Sequence, residues 1–226
     1  AQDMADGHFD PRCPVCGQWA SVLPSDEDTP SQPTSIYGIT KLNQEQMVLT
    51  VAKALGVSGI AYRYQNVYGP GQSLSNPYTG ILSIFSTRIR HGKAINIFED
   101  GRESRDFVYV DDVVEATVRG IEHEAPIVDV FNVGSGIATD VLTVAETLQR
   151  LYGRQIPIEI SGQIRLGDIR HNYANLAKVT SVLGFVPTVP FDEGLRRFAS
   201  WVENEQLQVD RYDESLRELR EKGLFK

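Results

Sequence analysis

The strongest constraint on the fold is a predicted helix that leads directly into a β-rich run, between residues 35 and 66. Thr34 or Ser35 can cap the helix, apolar residues follow at helical spacing, and Gly56 can end it. The run at 57–66 then carries β-branched and aromatic side chains. A helix that returns the chain to a strand is typical of a parallel crossover, so we predict an α/β fold.

The rest of the chain repeats such patterns, separated by turns rich in glycine, proline and aspartate. Residues 1–34 lack this periodicity and are predicted to be loop-like. We expect strands at 94–98 and 106–110 to form a hairpin-like pair, and residue 66 to start a turn. The other predicted elements are helices at 79–91, 142–152, 176–183, 191–202 and 210–226, a helix that begins at 110, and strands at 128–133 and 157–160.

Length and charge limit the classes of function. The 226 residues can form one medium domain or two small ones with a substantial core. A net charge of -8 argues against nucleic acid as the main partner, although a few arginines can still bind a small anion. No apolar run approaches the ~20 residues of a membrane span, and no signal peptide is predicted. Two cysteines give no disulfide framework, which favours a cytoplasmic location.

A Cys-x-x-Cys-Gly motif lies in the loop-like segment, with Cys13 and Cys16 as its thiols. Such a knuckle can wrap two thiolates around zinc, and the glycine allows the tight turn. A structural zinc site needs four ligands, and His8 is the only other nearby candidate. The motif therefore predicts half a zinc ribbon. The alternatives are a free dithiol and a turn prone to form a disulfide.

Tyr37 and Lys41 form a candidate acid–base pair at the start of the predicted helix. Four residues apart, they lie on one helix face. An ammonium beside a phenol favours the phenolate and lowers the phenol pKa, which makes a usable general base. The spacing is common, so an ordinary surface pair on an amphipathic helix is the alternative.

Five motifs, in this order, together resemble the extended short-chain dehydrogenase/reductase family, in its nucleotide-sugar epimerase and dehydratase branch. Each motif is weak by itself, and the shared order and spacing carry the resemblance, which covers about residues 35–205. The motifs are YGITK at 37–41, RYQNVYGPG at 63–71, SRDFVYVDD at 104–112, FNVGSG at 131–136 and RLGD at 165–168.

The resemblance implies a role for each site residue. Tyr37 is implied as the catalytic acid–base and as a contact to NAD, and Lys41 as the group that holds the nicotinamide ribose of NAD and tunes Tyr37. Arg63 is expected to belong to its strand and its packing. The residues implied to bind the substrate are Asn66 for the sugar or its diphosphate, Arg105 and Arg165 as diphosphate clamps, and Asp168 for the nucleoside.

The resemblance also implies an architecture. Residues 35–205 are expected to form the C-terminal part of a Rossmann-like doubly wound parallel sheet, interleaved with a small α/β substrate-binding domain. Residues 1–34 are then an insertion, and 206–226 a C-terminal helix. A dinucleotide-binding fold carries a Gly-x-x-Gly-x-x-Gly-type turn after its first strand, and this sequence has no turn with that spacing before a helix. We therefore expect the N-terminal dinucleotide-binding half to be missing from this chain.

The function implied is an NAD-dependent 4-epimerase that inverts C4 of a dTDP- or UDP-linked sugar through a keto intermediate. Residues 71–80 and 97–101 look closest to bacterial 4-epimerases of dTDP-linked 6-deoxyhexoses. A nucleotide-sugar 4,6-dehydratase and a non-catalytic nucleotide-sugar-binding fragment are the alternatives. Family members usually pair through the tyrosine-bearing helix, so a homodimer is expected. We expect this chain to be inactive alone and to self-associate through exposed apolar surface.

Overall fold

Helices and strands alternate along most of the chain, as the sequence predicts. The computed structural model describes residues 2–75, 80–164 and 168–223. The helices are α1 (Gln2–Ala5), α2 (Ile36–Leu55), α3 (Ile81–His91), α4 (Val110–Ile121), α5 (Val141–Leu151), α6 (Ala177–Leu183), α7 (Phe191–Asn204) and α8 (Tyr212–Glu221). The strands are β1 (Gly59–Tyr64), β2 (Asn66–Tyr68), β3 (Ile95–Ile97), β4 (Ser104–Tyr109), β5 (Val128–Val133), β6 (Ala138–Asp140) and β7 (Ile158–Ile160).

Parallel pairing dominates the sheets, which confirms the predicted α/β class. β1 pairs with β5 in register from Gly59 opposite Val128 to Tyr64 opposite Val133. β4 pairs in parallel with β2 and antiparallel with β6, and β3 pairs in parallel with β7. The predicted hairpin between the strands now named β3 and β4 is wrong. Both edges of β4 are taken by β2 and β6, so β3 pairs elsewhere.

The helix α2 has the ends that the sequence predicts. The Ser35 hydroxyl accepts a hydrogen bond from the Gly38 amide at 3.0 Å, and Gly56 ends the helix with a φ of 66°. Its apolar side chains behave differently from those of a core helix. Ala52 is buried, whereas Leu55 is 70% exposed. α2 therefore covers β1 with small side chains and leaves larger apolar ones at the surface.

Asn66 begins a strand, and the turn predicted at this residue is wrong. The Gln65 amide donates to the Val133 carbonyl at 2.9 Å, which completes the edge of the β1–β5 pair. The chain then enters a different sheet, in which Asn66 lies opposite Phe107 of β4. A single residue thus separates the two sheets, so residues at the end of β1 and the start of β2 lie close together.

A buried carboxylate joins two of the motifs that carry the family resemblance. Asp106 is fully buried and accepts hydrogen bonds from the Ser135 amide and hydroxyl at 2.6 and 2.7 Å. It also accepts bonds from the Gly136 and Ala174 amides at 3.0 and 3.1 Å. The glycine turn after β5 is therefore held by β4, and Gly134 leaves no room for a Cβ beside Asp106.

The segment at 1–34 contains α1 and is otherwise irregular, but it is attached to the sheets: Ser25 forms a parallel bridge with Ala174, and Glu27 accepts from the Asn132 amide at 2.7 Å. The predicted terminal helix at 210–226 is shorter than expected, because α8 begins only at Tyr212. A bilayer-spanning helix is not found in the described ranges, since none has the required length and apolarity.

Candidate functional site

A groove of about 650 Å³ lies between the start of α2 and the strand β1. Tyr37 and Lys41 both line it, as their spacing predicts, and Tyr64 lines it from β1. Tyr37 is 71% exposed. The Lys41 ammonium lies 5.8 Å from the centroid of the Tyr37 ring and donates to the Gln44 side chain at 3.3 Å. The phenol and the ammonium thus share one face and are open to a ligand.

The floor of this groove is an ion pair rather than a free cation. Arg63 donates from Nε and Nη2 to the two carboxylate oxygens of Glu45, each at 2.8 Å. The hydrogen bond from Arg63 lowers the pKa of Glu45, and the same bond raises the pKa of Arg63. Because this pairing is bidentate and mutual, Arg63 ties β1 to α2, in agreement with the structural role expected for it.

A second cavity, of about 210 Å³, brings together three predicted substrate residues: Asn66, Arg105 and Asp168. Asn66 comes from β2, Arg105 from β4, and Asp168 from the segment after β7. Arg165, the fourth predicted substrate residue, lies outside the described residues. The remaining lining is mostly apolar and comes from α3, from β3 and the residue after it, from the start of α5 and from α8: Ile81, Ile84, Phe85, Ile97, Phe98, Val141, Tyr212 and Leu216.

Arg105 is held in position by three hydrogen bonds. Its Nη1 donates to the carbonyls of Ser104 and Arg170 at 2.8 and 3.0 Å, and its Nη2 donates to Asp168 Oδ1 at 3.1 Å. A guanidinium has more N–H donors than these three bonds use. Arg105 is therefore both oriented by its neighbours and able to bind an anion in the cavity.

Glu103 is a cavity residue that the sequence did not single out. Its Oε2 is buried and has no hydrogen-bond partner within the described part of the chain. Burial raises the pKa of Glu103 to about 7, and the charges of Glu99 and Asp100 add to this increase, whereas the charge of Arg170, whose Nη1 lies 3.9 Å from Oε2, opposes it. No local pattern distinguishes Glu103 from a surface turn residue, because its burial comes from distant segments.

The nearby Arg170 connects this region with the segment at 1–34. It donates to Glu99 at 2.7 Å, to Asp100 at 2.6 Å and to Asp10 at 3.1 Å. Despite burial, these hydrogen bonds raise the pKa of Arg170. The neighbouring His171 bridges Asp10 and the Ser104 hydroxyl, with both distances at 2.8 Å. The segment that supplies carbonyl 170 to Arg105 is thus fixed by side chains on both sides.

The two thiols lie in a tight turn. The Cys13 amide donates to the Gln18 carbonyl at 2.7 Å, and Gly17 has a φ of 73°. Cys13 is half-buried and Cys16 exposed. His8, the other candidate ligand, packs its ring against Trp19. Among the described residues, no third ligand comes within reach of both thiols, so the zinc prediction is not supported.

Comparison with known proteins assigns the chain to one family. The family model described as "NAD dependent epimerase/dehydratase family" matches residues 13–134. The dTDP-L-rhamnose 4-epimerase of Burkholderia thailandensis is 40% identical over 186 residues, which cover 82% of this chain and 51% of that protein. The resemblance inferred from the five motifs is therefore confirmed.

Solved structures give the same result for the fold. The UDP-glucose 4-epimerase of Thermotoga maritima, solved with UDP-glucose, matches with a TM-score of 0.73 and 34% identity, over 82% of this chain and 59% of that one. The UDP-glucuronic acid 4-epimerase of Bacillus cereus, solved with UDP-glucuronic acid and NAD, matches with a TM-score of 0.72 and 27% identity, over 81% and 57%. The chain spans about half the length of the curated relatives it matches.

Proposed function

This chain belongs to the NAD dependent epimerase/dehydratase family, and from that membership we propose that it forms the substrate-binding and acid–base part of a 4-epimerase of nucleotide-diphosphate sugars. The observation that carries the proposal is the single cavity shared by Asn66, Arg105 and Asp168. These residues come from three separate segments. Their convergence on one polar end of a largely apolar cavity suits a ligand that joins an anion to an apolar ring.

The polar and apolar parts of the cavity suit two different parts of such a ligand. The diphosphate lies at Arg105, whose planar guanidinium suits bidentate contact with phosphate oxygens. The nucleoside lies against the apolar side chains from α3 and β3, where phosphate would lose its hydration without compensation. Asp168, paired with Arg105, contacts the nucleoside. Binding energy from this remote part of the substrate then holds the sugar for reaction.

The acid–base part is the groove at α2. Tyr64 lines the groove and Asn66 lines the cavity, and two residues of extended chain span only about 7 Å. A sugar held at Asn66 therefore lies near the groove. Tyr37, as its phenolate, accepts the proton of the sugar O4 hydroxyl and returns it to the same oxygen after the ring has turned. Lys41 stabilises the phenolate through its charge.

The groove residues also fit the nicotinamide ribose of NAD. The exposed Tyr37 hydroxyl and the Lys41 ammonium offer hydrogen bonds on one helix face, so they are the residues of this chain that would hold it. A bound NAD would supply the hydride acceptor and donor for inversion at C4. Because this sequence has no Gly-x-x-Gly-x-x-Gly-type turn that leads from a strand into a helix, we expect this chain alone to bind NAD weakly and to be inactive.

The finer assignments follow from the same membership. We favour a dTDP-linked sugar, because the Burkholderia relative acts on one by its name. Epimerisation is favoured over 4,6-dehydration because the proteins compared above are 4-epimerases by name. A homodimer and a cytoplasmic location complete the proposal.

Calorimetric titration of this chain with dTDP, UDP and NAD, each separately, tests the proposal. We expect dTDP or UDP to bind. The Arg105→Ala variant should bind roughly 30-fold more weakly, because a charge-assisted hydrogen bond contributes about 2 kcal/mol. Arg102→Ala is the matched control, since Arg102 is exposed and does not line this cavity. If the wild-type chain binds neither nucleotide, or if both variants bind alike, the proposal is wrong.

A further inference from the structure

The helix α8 forms one wall of the cavity that contains Asn66, Arg105 and Asp168. Three of its residues line the cavity: Tyr212, Ser215 and Leu216. Tyr212 and Leu216 are each only 8% exposed, although α8 is otherwise strongly charged. Its apolar residues are thus turned towards the cavity and the protein, and its charged residues towards solvent.

Ion pairs to Arg88 and Lys93 hold the start of α8 and the residue Asp210 that precedes it. Asp210 accepts from Arg88 at 3.3 Å and from Lys93 at 2.9 Å, and its side chain is 3% exposed. Although burial favours the neutral acid, the hydrogen bond from Lys93 and the charge of Arg88 lower the pKa of Asp210. Arg88 also pairs with Asp213 at 2.8 Å. The C-terminal end of α3 therefore fixes where α8 begins.

Tyr212 connects α8 directly with another wall of the cavity. Its hydroxyl donates to the Asn96 carbonyl at 3.2 Å, and Asn96 also lines the cavity. The Arg88 guanidinium lies 5.0 Å from the centroid of the Tyr212 ring. The first turn of α8 is thus joined to both α3 and β3, the elements that supply the apolar lining.

From these contacts we propose that α8 is a nucleotide-contacting element: Tyr212 and Leu216 pack against the nucleoside of the bound nucleotide sugar and help to select it. This inference rests on the proposed function, because it takes the cavity as the nucleotide site. The cavity has its cation at Arg105, so the diphosphate lies there. The nucleoside then extends along the apolar lining, of which α8 is one side.

A pair of tryptophan variants tests this assignment by calorimetric titration with dTDP and UDP. Leu216→Trp places added bulk in the cavity. Arg217→Trp places the same bulk on the next residue, which is exposed and does not line the cavity. We expect Leu216→Trp to weaken nucleotide binding by at least about tenfold, since it removes space that the nucleoside fills. Arg217→Trp should bind like the wild type.

Leu216→Ala is a second variant, which tests the same contact if Leu216→Trp fails to fold. It should bind a few times more weakly than wild type, because part of the contact with the nucleoside is lost. Hydrogen exchange provides a second measurement: dTDP should protect the amides of α8 from exchange in the wild-type chain.

Two outcomes overturn the inference. If the wild-type chain binds a nucleotide and both Leu216 variants bind it equally well, without protection of α8, the inference is wrong and the proposed function stands. If the wild-type chain binds neither nucleotide, the proposed function fails and the inference fails with it.

Discussion

At the scale of single residues, Glu103 gives the cavity a group that titrates near neutral pH. Its pKa is raised to about 7 by burial, so the side chain is mostly neutral below that pH and negative above it. A negative charge in the cavity repels a diphosphate. We expect the affinity for dTDP to fall as the pH rises from 6 to 8 by roughly tenfold, as measured by calorimetry.

The Glu103→Gln variant is the control for this dependence, because it retains any effect of the titrating terminal phosphate of dTDP. The fall caused by Glu103 should therefore appear in the ratio of wild-type to variant affinity over the same range. Its stability gives an independent check. A raised carboxyl pKa contributes stability that is fully present below the unfolded pKa and lost as the pH rises through about 7. The full shift would correspond to about 3 kcal/mol, and partial exposure of the side chain reduces it, so Glu103→Gln should stabilise the chain by roughly 1–2 kcal/mol at pH 8 relative to its effect at pH 4. Equal pH profiles for variant and wild type would exclude Glu103 as the titrating group.

Gly134 is the residue at which the packing around Asp106 leaves least room. A Cβ at this position would overlap the Asp106 carboxylate, which is already fixed by four hydrogen bonds. We expect Gly134→Ala to destabilise the chain by about 2–3 kcal/mol, measured by urea unfolding. In an Asp106→Ala background the same substitution should cost less, because the overlap with the carboxylate is gone and only the close approach to Gln65 Cγ remains. Additive costs would show that the two residues do not interact.

At the scale of elements, the segment at 1–34 is tied to the substrate cavity through Asp10. Asp10 accepts from Arg170 and His171, and the Arg170 carbonyl accepts from Arg105. We expect Asp10→Ala to speed hydrogen exchange at residues 168–172 and to weaken dTDP binding by roughly threefold, since it loosens the support of Arg105. Asp28→Ala, an exposed change in the same segment, should do neither. Unchanged exchange in the Asp10 variant would contradict this coupling.

The limits of a helix or strand that ends at a capping residue or a turn could be predicted closely from the sequence. Elements that are defined by contacts with residues distant in sequence could not. α2 has a serine cap and a glycine at its end, and β5 is bounded by turns, so their limits were predicted to within a residue or two. The antiparallel strand β6 was missed, because its three residues pair only with β4, which is far away in sequence. The predicted hairpin between β3 and β4 is wrong for the same reason, because the strand with which β3 pairs depends on all the strands of the sheets.

The residues of the candidate site also divide into those predictable from local sequence and those brought together only by the fold. That Asn66, Arg105 and Asp168 share a cavity was predictable only through the family resemblance, because they lie up to about a hundred residues apart and no local pattern relates them. Tyr37 and Lys41 needed only helical spacing. The contribution of α8 to the cavity could not be predicted, because a charged terminal helix with a weak apolar stripe carries no signal of what its apolar face contacts.

At the scale of the whole molecule, exposed apolar side chains are distributed unevenly over the described surface. α2 exposes a row of large apolar side chains, whereas α3, α5 and α7 bury theirs in the main core. The exposed side chains follow helical spacing and so form one continuous stripe: Met47, Val48, Val51 and Leu55. Such a stripe is typical of an interaction surface, and helix α2 also carries Tyr37 and Lys41. Association through α2 would therefore place two candidate sites near one interface.

Homodimer formation through α2 is the prediction that follows. Two copies related by a twofold axis would each present the same stripe, so one substitution changes the interface twice. We expect the chain to be dimeric at micromolar concentration by size-exclusion chromatography with light scattering, and Val51→Lys to shift it to monomer, because two lysines then face each other in an apolar contact. Ile121→Lys is the matched control, since Ile121 is an exposed apolar residue on α4. A monodisperse wild-type monomer, or dissociation caused by Ile121→Lys alone, would show that α2 is not the interface.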